Sequence, residues 1–86
     1  MFKSVDELRP VMEKALKEVG ERDTTYGDYW LREDREFLYQ NIFRKSEGIR
    51  FLCRNGSINT PKGMEQLLDM IAYSAMVYRR LEIEDK

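Results

Sequence analysis

Apolar residues recur at Leu8, Met12, Ala15/Leu16 and Val19, the three-and-four spacing of one helix face. Ser4-Val5-Asp6-Glu7 ahead of them has the form of a capping box, and Gly20 behind them reads as a stop, so the pattern predicts a helix over about 4–19. Pro10 must then lie near the first turn, or the helix begins later than the box implies. Residues 21–33 carry turn chemistry followed by aromatics and read as a loop with a short helical turn. A second helix is expected over about 34–54, where FLYQNIFRKSEGIRFLCR ends at Asn55-Gly56, a helix-stop pair; Gly48 is its one weak point, at a cost of about 1 kcal/mol against Ala. A third is expected over about 61–82, with Thr60 as N-cap, Pro61 at the first helical position and Glu65 in the first turn. No segment alternates with period two. The class is therefore all-α: three main helices forming a bundle, completed by dimerisation.

Composition narrows this further. Eighty-six residues and 10.3 kDa make one helical domain, 1–86, and a chain this short buries only about 60–65% of its unfolded surface. With 42% hydrophobic and 36% charged residues it reads as neither a membrane protein nor a disordered tail. No apolar run approaches the ~20 residues that cross a bilayer and no signal-peptide core opens the chain, so a cytoplasmic domain is expected. One cysteine, Cys53, and no histidine leave a zinc site without its usual ligands. A net charge of −1 argues against broad capture of nucleic acid, although Arg32, Arg35, Arg44, Lys45, Arg50 and Arg54 make the middle segment locally basic.

Some polar residues fall on apolar faces. At ~100° per residue, Leu38, Ile42, Ile49 and Leu52 share a stripe, with Lys45 in its middle and Asp34 and Asn41 at its edge. An inward lysine requires an anionic partner, unless its stem packs and its amine reaches water. On the third helix the expected core stripe is Met64, Leu68, Ile71, Ala75 and Tyr78, flanked by Ala72, Met76 and two acids one turn apart, Glu65 and Asp69. Such a pair is either a solvated flank or a seat for a cation such as Mg²⁺, which takes carboxylates, water and phosphate oxygens. The cluster Tyr26-Gly27-Asp28-Tyr29-Trp30 either closes over a planar base or plugs one end of the core.

Three segments in order, Tyr-Gly-Asp-Tyr-Trp at 26–30, Lys-Ser-Glu-Gly-Ile-Arg at 45–50 and Glu-Gln-Leu-Leu-Asp-Met-Ile-Ala-Tyr-Ser-Ala-Met at 65–76, carry a resemblance. Over about residues 24–82 the chain resembles the MazG-like all-α nucleotide pyrophosphohydrolase superfamily, and within it the nucleotide-modification-associated domain type 1 branch. The resemblance implies a dimeric or larger helical bundle that holds a nucleoside triphosphate with Mg²⁺ and cleaves it to monophosphate and pyrophosphate. It implies Glu65 and Asp69 as metal ligands, joined by Glu33 and Glu36 in place of the superfamily's paired glutamates, with Glu36 and Lys45 serving catalysis. It further implies Lys45 and Arg50 on phosphate, and Tyr73, Trp30 and Tyr26 around base or sugar. Gln40, Ala72 and Gln66 depart from the branch's usual residues, which thins the acidic set.

Three functions follow as expectations: Mg²⁺-dependent hydrolysis of a (deoxy)nucleoside triphosphate or modified nucleotide, a non-catalytic nucleotide-binding or sequestering module, and a structural helical dimer that binds another protein.

Overall fold

The computed structural model describes residues 3–26 and 29–84, with the backbone alone for 22–26. Among them are α1 (Ser4–Tyr26), a 3-10 turn (Tyr29–Leu31), α2 (Arg35–Arg54) and α3 (Pro61–Glu84), and no strand. α3 is the central element: α2 and α1 each pack on it, and the 3-10 turn touches it as well.

The sequence signals set some boundaries and miss others. Asp34 caps α2, its extended backbone letting the carboxylate accept from the Glu36 N–H at 2.9 Å. At the other end Gly56 adopts a φ of +75°, and the Gly56 and Ser57 N–H groups bond back to the Cys53 and Leu52 carbonyls at 3.3 and 2.8 Å. That is a Schellman stop, and it needs a residue that accepts positive φ. Thr60 caps α3 as expected, its hydroxyl accepting from the Gly63 N–H at 3.1 Å and donating to the Ser57 carbonyl at 2.7 Å.

α1 begins at the expected residue but is capped differently and runs past its expected end. Ser4 is already helical, and the Lys3 carbonyl accepts from the Glu7 N–H at 3.0 Å, which places the cap at Lys3. Gly20 does not stop the helix, which runs on to Tyr26; an isolated glycine weakens a helix without ending it unless its φ turns positive. Pro10 lies inside α1, where it removes one backbone donor.

The inward face of α3 is also rotated from the expected stripe. Met64, Ala75 and Tyr78 are exposed, whereas Gly63, Asp69 and Ala72 are buried and Met76 is half-buried. At the start of α3 a Cβ on Gly63 would collide with the Ile58 carbonyl, so this turn packs directly on backbone. Only Ala15, Leu38 and Ala72 are fully buried apolar residues among those described. The radius of gyration is 14.3 Å, against about 12 Å for a compact chain of this length. The accessible surface, 6806 Å², exceeds by about 1,400 Å² what a folded monomer of this mass exposes.

Candidate functional site

The antiparallel α2–α3 hairpin is pinned by charge at two levels. Arg35 meets Glu84 at 3.2 Å at one end, and Lys45 meets Asp69 at 3.0 Å nearer the other. Lys45 Nζ also donates to Gln66 Oε1 at 3.1 Å. The lysine's position on the apolar stripe of α2 left it a choice between an anionic partner and water, and it meets an acid of α3, one turn from Glu65. The Asp69 side chain is 5% exposed and that of Lys45 25%, so the pair sits at the mouth of the seam with the acid innermost. Asn41, one turn before Lys45, is buried and accepts from the Arg44 guanidinium through Oδ1. Lys45, Asp69, Gln66 and Asn41 thus form a polar patch inside a helix–helix interface.

Glu65 is exposed. Tyr73, one turn beyond Asp69, is half-buried. Arg50 is exposed and, five residues from Lys45, projects from another side of α2. Glu36 stands nine residues before Lys45, about 13 Å along the helix axis, at the end of the hairpin where Arg35 meets Glu84. Glu33 is half-buried beside it, its N–H donating to the Tyr29 carbonyl at 2.9 Å. The structure therefore places Glu33 and Glu36 away from Glu65 and Asp69. Antiparallel pairing sends the two ends of α2 to opposite ends of α3, and linear spacing could not reveal this. Among the described residues no group of three His, Cys, Asp or Glu side chains is placed to hold a metal ion. Two carboxylates one turn apart suit a cation that arrives with phosphate oxygens of its own, not a resident ion.

The aromatic segment divides as well. The Tyr26 side chain, Gly27 and Asp28 lie outside the described residues. Trp30 is half-buried and lines an apolar pocket of about 230 Å³ between α1 and α3, together with Met12, Leu16, Ala72 and Met76. No residue of α2 lines that pocket. The Trp30 carbonyl accepts from Arg80 Nη1 at 2.8 Å, and Arg80 Nε donates to Glu84 at 2.7 Å. Trp30 therefore lines the α1–α3 crevice and not the α2–α3 seam.

Sequence reasoning left Gln66 and Arg80 without their structural roles. The Arg80–Glu84 spacing of four was a legible helix pair, but a carbonyl fifty residues upstream leaves no trace in a pattern. No family model, curated protein or solved structure matches this chain.

Proposed function

We propose that the α2–α3 seam binds a phosphate-bearing small molecule, a nucleoside triphosphate carrying Mg²⁺ foremost, and that the protein acts as a nucleotide-binding module. One observation carries this reading: a lysine amine, an aspartate and an amide meet inside a helix–helix interface that also buries Asn41, with the exposed Glu65 one turn from the aspartate. As a device for stability alone such a pair is a poor choice, because the desolvation of two charges offsets much of their attraction and an apolar pair of similar volume does as well. The same cluster is suited to exchanging partners. With no ligand, the Lys45 ammonium neutralises Asp69. An incoming triphosphate offers the lysine a stronger anion, and the cation it brings neutralises Asp69 and Glu65 in turn. Phosphate without a cation would meet Asp69 as a like charge, so binding should depend on Mg²⁺. Tyr73, half-buried one turn along α3, would contact sugar or base in this reading. The resemblance to MazG-like proteins supports the same ligand class.

Binding is preferred to hydrolysis because Glu33 and Glu36, the further acids that the resemblance asks for, stand at the far end of the hairpin. Hydrolysis to monophosphate and pyrophosphate is the extension of the reading, and it requires a third carboxylate near Asp69. Self-association belongs to the proposal too, supported by the excess of exposed surface over that of a folded monomer.

The test is a thermal-shift series with nucleoside triphosphates, with and without Mg²⁺. A ligand at 100 times its dissociation constant adds about 2.7 kcal/mol, which moves the midpoint of so small a domain by roughly 15 °C. A shift that requires Mg²⁺ and disappears in Asp69→Asn supports the seam. No shift with any nucleotide leaves the third reading, a helical dimer that binds protein. Pyrophosphate release, measured alongside, separates turnover from sequestration.

A further inference from the structure

α1 uses one face, centred on Val11, Ala15 and Val19, to pack on α3. Beside that face runs a second apolar stripe that stands exposed among the described residues. Val5, Leu8, Met12 and Leu16 are between 48 and 67% exposed, and Val19 continues the row. The spacing of this row is symmetric about Met12: Leu8 and Leu16 stand four residues to either side, and Val5 and Val19 seven. A sequence that reads alike in both directions about one residue is self-complementary in an antiparallel helix pair.

We propose that two copies of this chain associate through α1, antiparallel, with a two-fold axis at Met12. This deepens the self-association part of the reading above. The pairing sets Leu8 against the partner's Leu16, Val5 against the partner's Val19, and Met12 against the partner's Met12. A two-fold interface demands this reciprocity. The flank away from α3 carries Arg9 and Glu13, both exposed and one turn apart. Reversing the partner about Met12 brings each Arg9 within two positions of level with the partner's Glu13, so the two arginines flank a central pair of acids, each Glu13 lying between the partner's Arg9 and the partner's Glu13.

The pocket between α1 and α3 fits the same occupant. Met12 and Leu16 belong at once to its lining and to the exposed stripe, so a helix laid on the stripe closes its mouth with apolar side chains. The area agrees in scale. A specific interface covers about 800 Å² of each partner, and this chain exposes about 1,400 Å² beyond a folded monomer of its mass.

The register makes the test sharp. In a Cys53→Ser background, Met12→Cys should form a disulfide-linked dimer under mild oxidation. Leu8→Cys alone and Leu16→Cys alone should link poorly, and an equal mixture of the two should link well. Analytical ultracentrifugation should find a dimer for the unaltered chain and a monomer for Leu8→Glu/Leu16→Glu, with far-UV dichroism unchanged because both sites are exposed. Arg9→Glu should weaken the dimer by about tenfold, and Arg9→Glu/Glu13→Arg should restore it. A dimer in which Met12→Cys fails to cross-link overturns the α1 interface and leaves self-association standing. A chain that sediments as a monomer at all concentrations overturns both, while the nucleotide test at the α2–α3 seam is unaffected.

Discussion

Asp69 and Lys45 show why a charged pair inside an interface is easily broken by single substitutions. Removing one partner leaves the other desolvated and uncompensated, which for a fully buried pair costs about 3–5 kcal/mol. Lys45 keeps a quarter of its side chain in solvent, which lowers this, and Asp69→Ala should cost about 2–3 kcal/mol in urea unfolding. The double substitution Lys45→Met/Asp69→Leu should cost less than either single one, a non-additivity that a double-mutant cycle reads directly. Gly63 is the other residue with no freedom. Any Cβ there meets the Ile58 carbonyl, backbone that cannot swing aside, so Gly63→Ala should destabilise by about 3 kcal/mol, at the upper end of overpacking costs. Gly48 contrasts with it. A Cβ at that position finds only Gln66 Oε1 at 4.0 Å, an ordinary contact, so Gly48→Ala should raise stability by about 1 kcal/mol through helix propensity.

At the scale of elements, each helix end tells how it is held. α2 has an acid in its first turn and an arginine in its last, Glu36 and Arg54, which complements its dipole. α3 ends on Glu82 and Glu84, the disfavoured sign at a C-terminus, and Arg79, Arg80 and Arg35 pair with these two acids to offset it. Arg80 does more, because the same guanidinium holds the Trp30 carbonyl and so fixes the connection between α1 and α2 onto α3. α1 is the least determined element. Its proline is interior and its glycine is unrelieved by any turn, and it packs on α3 along one face only. Replacing Pro10 by Ala should therefore stabilise α1 by about 1–3 kcal/mol, seen as a higher midpoint and slower exchange of the α1 amides. The α2 and α3 boundaries were legible because capping residues act locally. The end of α1 was not, because Gly20 offers a stop that the backbone does not take.

The whole molecule is more open than its length requires, and its melting should reflect that. If folding and association are coupled, the midpoint rises with protein concentration, by mass action on a folded state that pairs. A tenfold change in concentration should move it by a few degrees, measured by dichroism, and the Leu8→Glu/Leu16→Glu variant should lose that dependence. No helix among the described residues is long and apolar enough to cross a membrane.

The order of residues alone indicated that the chain is helical, where α2 begins and stops and where α3 begins, and that Lys45 would meet either a negative partner or water. Each of those follows from short-range rules: period, caps, and the cost of an unpaired inward charge. Which acid answered the lysine, which side of α3 turned inward, and which acids were parted from one another were decided only by packing. Antiparallel pairing converts separation along the chain into opposite ends of a hairpin, and packing between helices selects which face of α3 turns inward. Neither effect is contained in the spacing of side chains.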